Sequence, residues 1–127
     1  MKKFYKITDD IYGKKFLLCI CGAGEMRKKI KKDLPLFDKL DEIATHGAQC
    51  LTITDPDSRV WRYIWIEKFN WTVEDQVLLS HEILHYVMQI MREVGIQYYW
   101  QDENINEEAF TYYFQYILFK VWTALKP

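Results

Sequence analysis

Two segments in which alternate residues are apolar constrain the fold of this chain most strongly. "QCLTIT" and "RVWRYIWIEKF" are both rich in β-branched or aromatic residues, and the turn-forming sequence "DPDS" separates them. The two segments therefore predict a β-hairpin over residues 49–69. In its second strand both faces carry large side chains, so at least one face of the hairpin must pack on a helix.

The residues from Thr72 to Val94 predict the clearest helix of the chain. Thr72 is a favourable N-cap, and Glu74 and Asp75 follow in the first turn, where the positive end of the helix dipole stabilises acidic side chains. Gly95 stands where a helix of this length would end. A long helix directly after a two-faced hairpin indicates an α+β fold.

The rest of the chain supplies weaker signals. "FYKI" and "KKFLLCIC" predict two strands joined by a turn in "TDDIYG", and residues 25–32 predict a short basic helix. "LPLFDKLDEIATHG" predicts a further helix that begins near Pro35 and ends at Gly47. "IQYYWQDENIN" predicts a loop or partial strand, and residues 106–125 predict the last helix, with Asn106 as its cap.

Length and composition limit the class of protein. A chain of 127 residues is large enough for one hydrophobic core and too short for two, so we expect a single domain over residues 1–127. Half of the residues are hydrophobic and the net charge is −1, which indicates a compact protein that does not bind nucleic acid. The lysines near the N-terminus are expected to form a solvated helix face. We find no signal peptide and no apolar run of membrane-spanning length, and therefore expect a cytoplasmic protein without a membrane partner.

The cysteines agree with that location. Cys19, Cys21 and Cys50 make an odd number, and no C-x-x-C pair suggests a thiolate metal site. Cys19 and Cys21 are two residues apart in a predicted strand, which places both thiols on one face and disfavours a disulfide between them. We expect three reduced cysteines that behave as small hydrophobic residues.

The strongest functional signal is "SHEILHYV" at residues 80–87. His81 and His85 are four residues apart on the predicted helix and therefore lie one above the other on one face, where two imidazoles can bind the same metal ion. Glu82 stands beside the first histidine. The alternative is that both histidines are core residues satisfied by hydrogen bonds and that Glu82 is an ordinary acid of the helix surface. We favour the metal site.

A catalytic zinc ion generally takes three protein ligands and leaves a fourth position to water. His46 lies upstream, at the end of a predicted helix where a cation complements the dipole, so no third histidine follows the pair. The downstream candidates for a third ligand are carboxylates, of which Glu108 is the best choice. They are Asp102, Glu103, Glu107 and Glu108.

"HEILH", followed after 22 residues by the second glutamate of "NEEAF", resembles the gluzincin metallopeptidases of the thermolysin-like clan. The resemblance implies a zincin-like fold in which His81, His85 and Glu108 bind Zn²⁺, with Glu107 as the second choice. It further implies that Glu82 is the general base for hydrolysis of a peptide or protein substrate. The match covers about residues 49–125, and its size resembles small members encoded by phages and prophages.

Two further expectations follow from this resemblance. The clan binds substrate backbone along an edge strand beside the zinc, and residues 59–67 would supply that strand. Tyr112 stands where the clan often has an aspartate that orients the first histidine. The alternative function is therefore a binding or structural protein that keeps the zinc fold without catalysis.

Overall fold

The computed structural model describes residues 2–96 and 103–126, with the side chains of the last helix from Glu107 onward. The described residues form an α+β fold, as the sequence predicts. The fold has a mixed four-stranded sheet and three α-helices. No described helix combines the length and the apolar character that a membrane crossing requires.

The sheet has the strand order β1-β2-β4-β3. Strand β1 pairs antiparallel with β2, β2 pairs parallel with β4, and β3 pairs antiparallel with β4. The predicted hairpin is confirmed as β3 and β4, in which Cys50 lies opposite Ile64. The strands span Lys3–Thr8 (β1), Lys15–Ile20 (β2), Ala48–Thr54 (β3) and Val60–Ile66 (β4).

The helices are α1 (Ala23–Asp33), α2 (Val73–Glu93) and α3 (Glu103–Leu125). The Thr72 hydroxyl accepts a hydrogen bond of 3.1 Å from the amide of Asp75, which confirms the predicted N-cap of α2. Helix α3 begins three residues before Asn106, so the prediction that Asn106 caps this helix is wrong. The loop or partial strand predicted around residues 97–102 lies outside the described residues.

The two faces of the sheet pack against different helices. Helices α2 and α3 cover one face and form the larger core, which includes Ile64 from β4 and Ile83 from α2. Helix α1 covers the other face, where Met26 and Ile30 pack on Cys19 and Trp65. Adjacent residues of a strand point to opposite faces, so the two aromatic and apolar faces of the hairpin are both buried, in separate cores.

The helix predicted over residues 34–47 is wrong. This segment contains only a single turn of 3₁₀-helix, Leu40–Glu42, between bends. The Arg27 guanidinium donates hydrogen bonds to the carbonyl oxygens of Leu40 at 3.3 Å and Ile43 at 3.0 Å. Because a side chain from α1 satisfies these carbonyls, the segment buries Ile43 without forming an α-helix.

The expectation that residues 59–67 supply an edge strand is also wrong. Strand β4 lies inside the sheet and is hydrogen-bonded to β2 on one side and to β3 on the other. Strand β3 is the edge strand on this side of the described sheet. The last four residues of β4 are all buried, as expected for a strand with neighbours on both sides and helices on both faces.

The cysteines are free thiols, as predicted. Cys19 and Cys21 are fully buried and both belong to the core under α1, which confirms that they share one face of β2 and its extension. Burial raises the pKa of the Cys19 thiol to about 12 and that of Cys21 to about 11.

Candidate metal centre

His81 and His85 lie on the outer side of α2, not in the core. The residues that anchor this helix to the sheet and to α3 are buried, among them Leu79, Ile83 and Tyr86. Both histidines are exposed, and the apolar side chains of Val77 and Met88 on the same face of the helix are 64% and 46% exposed. The alternative interpretation of these histidines as buried core residues is therefore wrong.

The two imidazole rings face each other across one turn of α2. Their Nε2 atoms are 3.1 Å apart, their centroids are 4.7 Å apart, and the rings are inclined at 82°. A single hydrogen bond between one protonated and one unprotonated nitrogen accounts for this distance in the absence of metal. When both Nε2 atoms are unprotonated, each offers a lone pair, and the two nitrogens are close enough to bind the same ion.

The separation of these nitrogens fits a shared tetrahedral ion. Zinc–nitrogen bonds of about 2.0–2.1 Å at the tetrahedral angle place two ligand nitrogens about 3.3 Å apart. The observed 3.1 Å is close to that value, so only a small movement of the rings would be needed. Imidazole nitrogen together with carboxylate oxygen is a donor set that zinc accepts readily.

Glu82 completes a group of three residues that could hold a metal ion. One ligand atom from each of His81, Glu82 and His85 lies within 4.8 Å of the other two. Glu82 differs from the histidines in being only 6% exposed, because it lies on the side of α2 that is turned toward the sheet. The pattern H-E-x-x-H thus places a buried carboxylate beside two exposed imidazoles.

Glu107 and Glu108, the predicted candidates for a third ligand from α3, are both exposed. The group formed by described residues around the two histidines contains no side chain from α3. Glu108 is nine residues before Ile117, which is buried, so the two project from opposite sides of α3 at about 100° per residue. Side chains at Asp102 and Glu103 lie outside the described ones.

No family model matches the chain, and comparison with curated proteins and with solved structures gives no match.

Strand β3 is a part of the site that the sequence did not predict. Thr52 donates a hydrogen bond of 2.6 Å from its hydroxyl to the Gln89 side chain of α2, which ties the edge strand to the helix. The Cys50 thiol lies near Glu82: burial first, and then the charge of that carboxylate, raise its pKa to about 12. The edge strand therefore runs beside the buried carboxylate of the H-E-x-x-H pattern.

A sequence signal for this arrangement was available in the two strands of the hairpin. "YIWI" in β4 is apolar on both faces, which is typical of an interior strand, whereas "CLTIT" in β3 alternates with threonine. That difference identifies β3 as the outer of the two strands. Its position beside Glu82 depends on long-range packing and has no local signal.

His46 and Tyr112 are both exposed to solvent. His46 is exposed and lies near the 3₁₀ turn, so its predicted role at the end of a helix is wrong. Tyr112 is 67% exposed. Tyr113, Ile117 and Val121 of α3 are buried in the larger core.

Proposed function

We propose that this chain is a zinc-dependent metallopeptidase of minimal gluzincin type. In this proposal His81 and His85 bind Zn²⁺, Glu108 supplies the third ligand, and Glu82 is the general base. The observation that carries it is the 3.1 Å separation of the two Nε2 atoms on one face of α2, with a buried carboxylate beside them. A helix that only packed in a core would have no need of this combination.

The chemistry follows from the residue types. Bound zinc would supply a Lewis acid that polarises the scissile carbonyl and makes water more acidic. A Glu82 carboxylate oxygen would take the proton from the attacking water and then deliver it to the leaving amine. Because Glu82 is held by its position on α2 and by burial against β3, its carboxylate needs little reorganisation to do this.

The proposed substrate is an extended peptide segment that pairs with β3. Edge strands have unpaired backbone groups on one side, which an added strand can satisfy. Strand β3 packs on α2 through Thr52 and Gln89 and passes Glu82 at Cys50. A peptide on this edge would therefore run alongside the helix that carries the two histidines.

A second candidate function is a metal-binding protein of the same fold without catalysis. It is favoured by the exposed positions of Glu107 and Glu108, since a site with only His81, His85 and Glu82 as ligands would leave no separate base. Under this alternative Glu82 would itself bind the metal. The two functions thus assign different roles to one carboxylate.

The decisive comparison is between the wild type and Glu82→Gln. Zinc content is measured by mass spectrometry after dialysis, and cleavage is measured on an unstructured protein such as casein. The peptidase predicts zinc-dependent cleavage in the wild type, and retained zinc with a loss of about 10²-fold or more in turnover in Glu82→Gln. The non-catalytic alternative predicts no cleavage by either protein and loss of zinc in the variant.

Glu74→Gln is the matched control, because it makes the same chemical change in the exposed first turn of the same helix. It should retain both zinc and turnover. Cleavage by Glu82→Gln at the rate of the wild type would exclude Glu82 as the base, and absence of zinc from the wild type would exclude the metal centre.

A further inference from the structure

A groove of about 1060 Å³ lies on the face of the sheet opposite α2. Its floor includes Leu51, Ile53 and Trp61, which belong to the core under α1, and Phe37 forms part of its wall. The groove therefore lies between the β3–β4 hairpin and the segment that follows α1. The two histidines lie on α2, which packs on the other face of the sheet.

The charged residues of this groove are mainly acidic. Of the described residues that line it, five carry a carboxylate and two carry a cation. Arg59, one of the two cations, is already close to acids, at 3.7 Å from Asp57 and 4.0 Å from Asp55. Asp38 and Glu42 form no ion pair with a described residue. A negative potential is the expected result.

The groove extends to the edge of β3 that pairs with no described strand. The side chains of Leu51 and Ile53 point to the α1 side of the sheet. Those of Cys50 and Thr52 point to the α2 side, where Thr52 bonds to α2. Nevertheless, all four consecutive residues from Leu51 to Thr54 line the groove. Residues that point to opposite faces of a strand can line the same groove only if the groove reaches the edge of that strand. Strand β3 contains seven residues, none of them charged and none of them proline. Exposed edge strands are usually protected from pairing by charged residues or proline. Because β3 has neither, its edge is suited to pairing with another strand.

We propose that this groove selects the substrate: the extended segment that pairs with β3 carries lysine or arginine at alternate positions, whose side chains enter the acidic groove. The inference rests on the proposed function, because it describes the segment that would lie beside Glu82. Residues of an extended strand alternate between faces, so the residue next to each basic one points to the α2 side. The class of substrate is thus an unfolded or loop segment of another protein with basic residues two apart.

Another molecule of this chain is the competing occupant. Strand β1 is the opposite edge of the described sheet, and Lys6 lies opposite Leu17, which faces the α1 side. A second copy could therefore place β1 against β3 in a head-to-tail contact. A head-to-tail contact adds copies one after another into an open chain, unless the rotation between copies happens to form a ring. We therefore favour a separate substrate.

The test measures binding independently of cleavage. The Glu82→Gln variant, which does not cleave under the proposed function, is titrated with zinc present into fluorescent peptides of about eight residues, long enough to span the seven residues of β3. One peptide alternates valine and lysine, the second alternates valine and glutamate, and the third alternates valine and serine. Fluorescence anisotropy should show the lysine peptide binding at least about tenfold more tightly than the glutamate peptide at low ionic strength.

The matched variants change the charge by the same amount at different places. Asp38→Asn combined with Glu42→Gln removes two charges from the groove and should abolish most of the preference for lysine. Asp10→Asn combined with Glu74→Gln removes two exposed charges elsewhere and should keep it. The preference should also decline at about 1 M salt, where the screening length is about 3 Å.

Equal binding of the three peptides, or an unchanged preference in the groove variant, would overturn the proposal. So would self-association in sedimentation experiments that Asp38→Asn with Glu42→Gln abolishes, because the second copy would then be the occupant. Selective binding of the lysine peptide without its cleavage by the zinc-loaded wild type would support the groove and contradict the peptidase. Cleavage of the peptides without any preference for lysine would support the peptidase and contradict the role of the groove.

Discussion

The phenol of Tyr113 donates a hydrogen bond of 2.6 Å to a carboxylate oxygen of Asp9, joining α3 to the turn between β1 and β2. The other oxygen of Asp9 accepts bonds from the amides of Tyr12 at 2.6 Å and Gly13 at 3.1 Å. Asp9 is only 4% exposed, so these donors replace the water that its carboxylate would otherwise bind. The contact therefore tethers α3, the helix that carries the predicted third zinc ligand, to the sheet.

Removing this donor should destabilise the protein. Tyr113→Phe keeps the ring but leaves a buried carboxylate with one donor fewer, and we expect the free energy of unfolding to fall by about 1–3 kcal/mol. Urea denaturation followed by circular dichroism measures the change. Tyr112→Phe is the control, because Tyr112 is 67% exposed and its hydroxyl should contribute less than about 0.5 kcal/mol. Equal effects of the two substitutions would contradict the role assigned to Tyr113.

Zinc should stabilise the folded protein through His81 and His85. A ligand that binds only the folded state at about a hundredfold excess over its Kd stabilises it by about 2.7 kcal/mol, so the melting temperature should rise with added zinc and fall with a chelator. His81→Ala and His85→Ala should each abolish most of this rise. His46→Ala removes the third histidine of the chain and should retain it. A rise that persists in His81→Ala would place the zinc elsewhere.

The contrast between α2 and the segment after α1 shows what sequence patterns can predict. Helix α2 has a capping threonine, acidic residues in its first turn and a long apolar stripe, all local signals that agree with its tertiary environment. Residues 34–47 have similar local signals, but Arg27 from α1 supplies the hydrogen bonds that a helix would have supplied. A side chain so far along the sequence leaves no trace in the local pattern.

The candidate site shows the same limit. Helical spacing alone places His81 and His85 on one face, and the structure confirms that they meet with Glu82 beside them. The sequence predicted β4 as the edge strand, whereas the edge strand is β3. The reason is the parallel pairing of β2 with β4, which brings together residues more than forty positions apart. Whether Glu108 approaches the histidines likewise depends on how α3 lies against α2, and this stays a prediction.

Substitution of the two α3 glutamates tests the third ligand. If Glu108 binds zinc, Glu108→Ala should weaken zinc affinity by at least about tenfold, since a carboxylate–metal contact is lost, while Glu107→Ala leaves it unchanged. Competition with a chromophoric chelator measures the affinity. The two residues are neighbours on α3 and are both exposed, so each serves as the control for the other. Equal affinity in both variants would direct attention to Asp102 and Glu103.

The buried thiol of Cys19 should make the protein less stable at alkaline pH. Burial first, and then the neighbouring Cys21, raise the pKa of this fully buried thiol from 9.0 to about 12. A group whose pKa is higher in the folded state stabilises the fold fully below its unfolded pKa. Its contribution is lost as pH rises from about 9 toward 12, because the unfolded chain releases the proton first.

Comparison of slopes isolates this thiol. Cys19→Ala loses packing contacts equally at every pH, which lowers the whole curve of unfolding free energy against pH. It also removes the thiol whose ionisation gives that curve part of its slope. Between pH 9 and 11 the wild type should lose up to about 1.4 kcal/mol per pH unit more than the variant, as expected for one titrating group. Urea denaturation in a reducing buffer at intervals of pH gives both curves. Parallel curves across this range would mean that the Cys19 thiol ionises in the folded protein as readily as in the unfolded chain.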